Sequence, residues 1–504
     1  MSDFRNPLDD AMPGRKLLAR WVVRGTLTLE TAMHLGGEGT ERVDMPVLRD
    51  PREGKPLLPG TTFAGALRSA LADRLAGYGV EEDPKTSVSA LFGGTRASDD
   101  GEQSPLIVFD AFGELPSRHG IEIRDGVAIS PGSGTAEDRK KYDYEVLPAG
   151  TTFPVRVDLL VPGTADEKSL LEALASALDA FSHGENCFGA KRSRGLGRVN
   201  ATWVAERFDL KSADGWIEWA LSDHLAPIQT SPAQSCIRDV LDAAAPHGVT
   251  PLRLLGDARR RVVIELDLQV RHDILIRSPG TEPGAPDVSH LGSAGAPILP
   301  GTSLAGVMRA QAHRIEKLVR NGKGDAKSWT AELFGHRFEG RRPPPGIEPR
   351  ASRLRVGEAA LDASQPQQRT RVAIDRFTQG TVATALFEEQ TESGGCASVR
   401  LELRDPRTGE LGLVLLVLKD LLDGTLPVGG TSSVGRGVLT GAATITFHDD
   451  PTKPSRTAAL EPGGPPSGDA ASEIDEEIRR FHDAPPLSDD QRVAATATAS
   501  GGPA

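Results

Sequence analysis

The spacing of apolar residues changes along the chain and predicts a strand followed by a helix. Apolar and polar residues alternate over 22–29, as in a strand with one buried face. A polar, glycine-bearing loop and a Leu-Pro-Gly-Thr turn come next. Apolar residues then recur every four positions, which places them on one face of a helix: Phe63, Leu67, Leu71 and Leu75. Thr61 or Thr62 is a natural N-cap for this helix.

Further strands and a second helix are predicted downstream. Residues 153–161 alternate like a strand, residues 167–181 have a helical pattern, and a glycine-rich loop leads into a closing strand. Strand, helix, two strands, helix and strand in this order are typical of a ferredoxin-like (RRM-like) domain of the α+β class.

The same pattern occurs twice, because four short motifs recur in the same order at a nearly constant offset. Leu-Pro-Gly-Thr at 58–61 returns at 299–302, an offset of 241 (299 − 58), and Leu-Phe-Gly at 91–93 returns at 333–335. Val-Ala-Ile at 127–129 returns at 372–374, and the Gly-x-Gly that begins at Gly195 returns at Gly435. The sequence therefore predicts an internal duplication with two similar domains in tandem.

The duplication and the composition together suggest four segments. We expect a first domain over 1–205, a partly helical connector over 206–261 and a second domain over 262–448. Residues 449–504 are rich in Pro, Gly, Ala and Thr, and they contain 11 acidic and 5 basic residues. This composition predicts a disordered acidic tail, within which 472–482 could form one short charged helix.

Charge and cysteine content narrow the class of protein. The net charge of the 504 residues is −12, and the tail alone accounts for −6, since 5 − 11 = −6. The negative net charge of the whole chain is therefore compatible with basic grooves on the residues that precede the tail. The chain has no apolar run of membrane-span length and its N-terminus does not resemble a signal peptide, so we expect a cytoplasmic protein. Its three cysteines are far apart, which gives no basis for a disulfide framework or a cysteine zinc site.

A glycine-rich loop at 189–199 carries the strongest local concentration of positive charge. It holds four basic residues and no acid: Lys191, Arg192, Arg194 and Arg198. Glycines let a backbone approach a phosphodiester closely, and arginines bind it in bidentate fashion. A tight turn with solvated charges is the alternative, but recurrence of the loop in weaker form at 429–437 favours RNA. A smaller basic cluster contains Lys140 and Lys141.

The Pro-Gly-Thr turn at the start of the first predicted helix is a second candidate anion site. A hydroxyl and unpaired N–H groups at a helix N-terminus attract anions. Thr61 and Arg68 would contribute to this site, and Arg309 is the equivalent of Arg68 in the second copy, since 309 − 68 = 241. A well-capped helix without a ligand explains the same residues.

Longer motifs resemble a known family. The runs "MHLGG…VDMPVLRDPREGKPLLPGTTFAGALRSAL", "VAIS…YDYEVLPAGTTF" and "SRGLGRV" closely resemble RAMP-superfamily backbone subunits of type III CRISPR effectors. These motifs touch most of 17–205 and, less faithfully, 262–447. The resemblance implies two ferredoxin-like RAMP domains, each with an inserted β-hairpin thumb that enters a guide–target duplex. It also implies guide RNA, complementary target RNA and other effector subunits as partners.

In this family a loop aspartate beside each thumb is needed to cut the target RNA, and by motif position that residue is Asp44. The candidate in the second copy is Asp287, although its loop lacks the Pro-Val-x-Arg-Asp sequence that follows Asp44 and is two residues shorter. Arg376 and Arg436 are further RNA-binding candidates in the second copy.

Splaying a nucleotide out of the stack can align its 2′-OH with the next phosphate, which favours cleavage. An aspartic acid has an ordinary pKa of about 3.9 and is a poor general base near neutral pH. We therefore expect Asp44 to orient the 2′-OH or to hold a divalent cation such as Mg²⁺ without a dedicated protein cage. His34 is a candidate RNA-binding or acid–base residue, but Leu275 stands near that position in the second copy.

Two other functions fit the same motifs. The chain could be a purely structural RNA-binding subunit in which both aspartates are inert. It could also be a guide-processing endoribonuclease, since RAMP folds serve that role, but the backbone motifs and the thumb-like segments favour the effector subunit.

Overall fold

The computed structural model describes most of the chain and shows a mixed α+β protein. The residues that it describes are 16–38, 43–80, 86–94, 103–130, 134–182, 184–223, 233–246, 250–279, 285–319, 329–336, 350–448 and 453–483. By its contacts the chain divides into two compact units. The first comprises Met1–Gly126, Tyr142–Arg192 and Leu196–Arg259, and the second comprises Val127–Lys141, Ser193–Gly195 and Arg260–Ala504.

The first copy of the repeat contains eight strands and five helices among the described residues. Its strands are β1 Leu17–Leu29, β2 Leu57–Leu58, β3 Leu106–Val108, β4 Ala111–Phe112, β5 Glu122–Ile129, β6 Ala136–Val146, β7 Thr152–Pro162 and β8 Val199–Asp209. Its helices are α1 Gly60–Ala76, α2 Ser87–Phe92, α3 Glu167–Ser182, α4 Ala213–Leu221 and α5 Ile237–Ala244. A short 3₁₀ turn lies at Arg192–Arg194.

Four of these strands form an antiparallel sheet in the order β3-β7-β1-β8. Side chains alternate along β1, so Trp21 and Val23 are buried on one face and Arg20 points to the other. Helices α1 and α3 cover the buried face. Their contact includes the rings of Phe63 on α1 and Phe181 on α3, which meet edge to face with centroids 6.0 Å apart. Separately, β5 and β6 pair as a long hairpin.

The second copy contains thirteen strands and four helices among the described residues. Its strands are β9 Arg261–Val270, β10 Asp273–Ile274, β11 Arg277–Pro279, β12 Val288–His290, β13 Gly292–Ser293, β14 Ala296–Leu299, β15 Leu354–Val356, β16 Ala359–Ala360, β17 Gln365–Ile374, β18 Thr381–Ser393, β19 Cys396–Arg404, β20 Leu439–His448 and β21 Arg456–Leu460. Its helices are α6 Gly301–Val319, α7 Trp329–Phe334, α8 Glu410–Leu422 and α9 Ala471–Asp483. A 3₁₀ turn lies at Ser432–Val434.

The main sheet of the second copy has the order β15-β19-β9-β20-β21. Its first four strands occupy the same positions in the chain order as β3, β7, β1 and β8, and β21 extends the edge. The long hairpin β17–β18 also matches the hairpin β5–β6. The duplication and the α+β class predicted from the sequence are therefore confirmed.

The segment that the sequence assigns to a connector packs on the first unit. Strand β8 continues to Asp209, past the expected boundary at 205. Helix α5 then buries Ile237, Val240 and Leu241 in the same hydrophobic core as Trp21. Helices α4 and α5 lie in this segment, and the apolar contacts of α5 attach it to the sheet.

The prediction of a disordered tail is wrong for residues 453–483. Strand β21 pairs with β20, and α9 buries Ile474 and Phe481 in the core of the second unit. The ring of Phe481 meets Trp329 edge to face, with centroids 5.5 Å apart. Composition averages over the segment and hides the helical spacing of its few apolar residues, although the short helix expected at 472–482 is present. Residues 484–504 of the predicted tail lie outside the described residues.

No helix in the described ranges is long and apolar enough to cross a membrane.

The burial of α9 predicts that this helix stabilises the second unit. Phe481 is 1% exposed, so Phe481→Ala should lower the free energy of unfolding by about 3–5 kcal/mol. Glu476→Ala, on the solvent side of the same helix, should change it by less than about 1 kcal/mol. Chemical denaturation of the full chain measures both. Equal stabilities of the Phe481→Ala variant and the unmodified chain would contradict the packing of α9.

Candidate active site

The loop that carries Asp44 is held against the hairpin strand β6. Met45 forms a parallel bridge with Tyr144, and the backbone N–H of Glu145 donates to the carbonyl of Met45 over 2.9 Å. Asp44 and Asp143 also exchange hydrogen bonds. The backbone N–H of Asp143 donates to Oδ2 of Asp44 (3.1 Å), and the N–H of Asp44 donates to Oδ1 of Asp143 (2.8 Å). Asp44 itself stays exposed to solvent.

Glu145 anchors the other end of this loop. Its Oε2 accepts a hydrogen bond from the backbone N–H of Val47 over 2.9 Å. Both carboxylate oxygens accept hydrogen bonds from Nη2 of Arg49, each over 2.9 Å. A charged acceptor makes each of these bonds stronger than a neutral one. Two residues of the motif that follows Asp44, Val47 and Arg49, therefore fix the loop on β6.

His34 lies beneath the loop and is 3% exposed. Its Nδ1 lies 2.7 Å from the carbonyl oxygen of Glu145, which requires a proton on Nδ1 that is donated to that oxygen. Its own carbonyl accepts the N–H of Ala190 from the glycine-rich loop. The structure thus gives His34 the structural role of joining two loops, in place of the predicted contact with RNA.

The second copy repeats the geometry around Asp44 despite its different sequence. Oδ2 of Asp287 accepts the backbone N–H of Glu388 over 2.8 Å. Val288 pairs in parallel with Glu389, as Met45 does with Tyr144. Asp287 is exposed as well. Each copy therefore presents one loop carboxylate at the same point of its hairpin strand.

The glycine-rich loops are also equivalent. The N–H of Gly197 donates to the backbone carbonyl of Ala32, and the N–H of Gly437 donates to the backbone carbonyl of Asp273, both over 2.8 Å. Gly197 has a φ of 77°, and a Cβ at this position would lie 1.9 Å from the carbonyl oxygen of Phe188. The glycines are thus required by the close approach of the protein's own backbone.

The four cations of the first glycine-rich loop have different environments. Arg192 is exposed, whereas Arg198 pairs with Glu30 over 2.6 Å. Burial lowers the pKa of Arg194 to about 10. Lys191 lies over two tyrosine rings of β6, and its Nζ donates to the hydroxyl of Tyr142 over 2.9 Å. Arg192 is therefore the member of this group best placed to reach a ligand from solvent.

The helix start proposed as an anion site already holds an acidic group of the protein. Pro59 is the N-cap of α1, without a side-chain capping bond, so the prediction of Thr61 or Thr62 as N-cap is wrong. The N–H of Gly60 donates to Oδ1 of Asp110 over 2.6 Å. This carboxylate takes the place expected for a phosphate, and nothing in the local sequence of the turn signals it. Thr61 is exposed at this turn, while Arg68 on α1 and Arg309 on α6 are partly buried at equivalent positions.

Arg436 is a buried ion-pair partner in the second copy, and its environment does not support the predicted RNA contact. It is 3% exposed, and its Nη2 lies 2.6 Å from Oε1 of the buried Glu389. The hydrogen bond from Arg436 lowers the pKa of the Glu389 carboxyl. Arg371 pairs with the same oxygen. In the first copy, the equivalents of Glu389 and Arg436 are Tyr144 and Leu196, which pack in one apolar cluster.

The remaining predicted cations lie on the hairpins. Lys140 pairs with Glu137 over 2.5 Å on β6, and Lys141 follows it on the exposed part of that strand. Arg376 stacks over the ring of Phe377 at 4.6 Å, and that ring is 80% exposed. The structure thus gathers Asp44, His34 and Lys191 around β6, and it gathers Asp287 and Arg436 around β18.

The described residues contain no group of three or more side chains that could hold a metal ion by themselves. Each site instead offers one exposed aspartate beside a second acidic residue, Asp143 in the first copy and Glu388 in the second. Such a site suits a cation that keeps most of its water and takes further oxygens from a substrate, as Mg²⁺ prefers to do.

Comparison with known proteins agrees with this doubled geometry. Residues 26–200 and 284–440 both match the model of the RAMP superfamily. The chain is similar to the protein named CRISPR system Cms endoribonuclease Csm3 of Mycobacterium tuberculosis, at 25% identity over 42% of this chain and 98% of the relative. The protein of the same name from Enterococcus italicus is 29% identical over 35% of this chain and 86% of the relative. The chain therefore belongs to the RAMP superfamily, with two RAMP regions in a single polypeptide.

Proposed function

We propose that this chain is a double backbone subunit of a type III CRISPR effector complex that binds guide RNA and cuts complementary target RNA. The observation that carries the proposal is the equivalence of Asp44 and Asp287, each exposed and each bound to a backbone N–H of a long hairpin. Relatives named as CRISPR endoribonucleases support the reaction class. Partners would be the guide RNA, the target RNA and further effector subunits.

Each copy would be a ferredoxin-like domain whose long hairpin acts as a thumb. The order β3-β7-β1-β8, with α1 and α3 in the crossovers, supports this fold. Strand β17 is exposed along its whole length, and apolar side chains on the hairpin face solvent, among them Ile374, Phe377 and Leu386. Exposed apolar and aromatic side chains suit insertion between stacked bases, so the hairpins would splay target nucleotides beside the aspartates.

Guide binding would rest on exposed cations. Arg192 in the glycine-rich loop, Lys140 and Lys141 on the first hairpin and Arg376 at the turn of the second are exposed and can reach phosphates. Arg436 and His34 are excluded from this set by burial. A protein of net charge −12 can bind RNA in this way, because the binding depends on local charge.

The chain would promote cleavage by positioning a nucleotide of the target RNA. A nucleotide splayed by the hairpin can bring its 2′-OH in line with the adjacent phosphate, and orientation alone accelerates such a step strongly. Asp44 accepts one N–H through Oδ2, and its carboxylate also faces solvent, where it can orient the 2′-OH. It could equally hold a divalent cation shared with phosphate oxygens and water. When bound, that cation would stabilise negative charge on the phosphate.

Replacing the two aspartates separately tests this function. Asp44→Asn and Asp287→Asn keep an oxygen that can accept the hairpin N–H, so the loops should stay in place while the charge is lost. Each change should remove one of two cleavage products of a complementary RNA and leave target binding intact, because the carboxylate acts on the transition state. Gel analysis of end-labelled target with the assembled complex measures both products.

Asp50→Asn is the matched control. Asp50 lies in the same loop and accepts the N–H groups of Arg52 and Glu53, and an amide oxygen can do the same. This variant should cut at both positions. If Asp44→Asn leaves both products with normal target binding, the chain is a structural RNA-binding subunit and the nuclease function is refuted.

The exposed position of Arg192 generates a separate prediction for guide binding. Arg192→Ala should weaken guide RNA affinity and reduce the slope of log affinity against log salt by about 1, because one phosphate contact and its counterion release are lost. Arg238→Ala removes an exposed arginine on α5 as a control and should leave the slope unchanged. Titrations of labelled guide RNA at several salt concentrations give both slopes. Identical slopes for the two variants would show that Arg192 is a solvated side chain.

A further inference from the structure

Lys191 has an unusual conformation for its residue type. Its φ is 57°, in the left-handed region that a residue other than glycine rarely adopts. Its side chain returns to β6, where Nζ lies 3.4 Å from the ring centroid of Tyr144 and donates to the hydroxyl of Tyr142. A residue held in such a region is over-determined by its surroundings, and residues of this kind concentrate at functional sites.

The ammonium group of Lys191 has aromatic neighbours in place of a counter-ion. Among the described residues, no carboxylate lies within 4.0 Å of its Nζ, whereas Arg198 and Arg49 each pair with a glutamate. Partial burial and, to a smaller extent, the positive charge of Arg124 on β5 together lower the pKa of Lys191 to about 8. A partly desolvated cation without an acid partner is an attractive site for an anion.

The ammonium of Lys191 and the carboxylate of Asp44 both contact the same short segment of β6. Tyr142 and Tyr144 hold the amino group, and the residue between them, Asp143, binds Asp44 through its backbone N–H. Asp44 and Asp143 are engaged with each other's N–H groups, and the neighbouring Glu145 is engaged with Val47 and Arg49. The ammonium of Lys191 and the carboxylate of Asp44 are therefore bound by three consecutive residues of β6.

The second copy has the same backbone at this place but different side chains. Thr431 corresponds to Lys191, since 431 − 191 = 240, and its φ of 58° is nearly the same. Phe387 and Glu389 replace the two tyrosines, and Arg436 donates to the Thr431 hydroxyl from its buried pair with Glu389. An amino group that can gain or lose a proton is thus present at the first site and replaced by a hydroxyl at the second.

We propose, building on the cleavage function above, that Lys191 is a further catalytic residue of the first site, where its ammonium contacts the scissile phosphate and protonates the leaving oxygen. The 2′-oxygen forms a bond to phosphorus and releases its proton to water. The bond from phosphorus to the 5′-oxygen breaks, and that oxygen keeps the electron pair and takes a proton from Lys191. The products are a 2′,3′-cyclic phosphate and a 5′-hydroxyl, and the neutral amine regains its proton from water.

The protonated amine is the active form, so the first-site rate should fall as the pH rises through the pKa of Lys191, about 8. The groups that contact or face it are Tyr142, Tyr144 and Arg124. The second site lacks the amine and should not show this fall. Both cuts are made by the same complex, so effects of pH on the RNA, on a bound cation or on folding change both rates. The ratio of the first rate to the second therefore reports the effect of Lys191 ionisation alone.

The test compares single-turnover rates of both cuts in the assembled complex, with end-labelled target, from pH 6 to pH 10. Lys191→Met and Lys191→Thr should each slow the first cut by about 100-fold or more and leave the second unchanged. Lys191→Thr copies a residue that the second copy already carries at this φ, so it serves as the variant least disturbing to the fold. Lys191→Arg keeps the charge and should remove the fall above pH 8, because a guanidinium does not lose its proton there.

Guide retention and target binding by each variant show whether the fold is preserved. Equal slowing of both cuts would make Lys191 a purely structural residue and overturn the proposal, as would an unchanged rate and pH profile at the first site. Asp44→Asn, measured in parallel, distinguishes a failure of the Lys191 proposal from a failure of the proposed cleavage function. If that variant removes the first product while Lys191→Met does not, only the role of Lys191 fails. If Asp44→Asn leaves the first product in place, the cleavage function itself fails.

Discussion

Both candidate sites depend on a hydrogen bond from the backbone N–H of a hairpin strand to the carboxylate of a loop aspartate. In the first copy the bond runs from Asp143 to Asp44, and in the second it runs from Glu388 to Asp287. A charged acceptor strengthens such a bond, and a parallel bridge one residue further along fixes the register. In the first copy, Glu145 adds bonds to Val47 and Arg49 that hold the same loop on the hairpin. These bonds join the loop and the hairpin in one corner that presents a carboxylate.

The two copies keep this corner while they differ in what lies beneath it. The first copy packs Tyr144 against Leu196, and the second places Glu389 and Arg436 at the same positions as a buried ion pair. Desolvation of two charges offsets much of their attraction, so the ion pair is no evidence of greater stability. It does require both partners, since removing one leaves a buried charge. The backbone geometry is thus compatible with two different cores, and the chemistry near each aspartate can diverge without loss of the fold.

Much of this architecture is predictable from the sequence, because it follows from short motifs with strong local causes. The Leu-Pro-Gly-Thr turns start helices, the Gly-x-Gly motifs permit close backbone contacts, and their constant offset predicts the repeat. The motif singles out Asp44 as a candidate site residue. The partnerships of distant residues were not predictable, since Asp110 and Gly60, or Glu389 and Arg436, become neighbours only when the sheet forms. The helix with Phe481 was obscured by the acidic and proline-rich residues around it.

Under the proposed function, one polypeptide carries two equivalent aspartate sites whose positions on a target are set by the bound guide. Mapping the cut positions on several unrelated target RNAs, each with its own matching guide, tests this claim most directly. We expect a pair of cuts at a constant separation and at a constant distance from the guide end, whatever the target sequence. Cut positions that follow the target sequence, or that shift with it relative to the guide end, would contradict the proposed pair of guide-positioned sites.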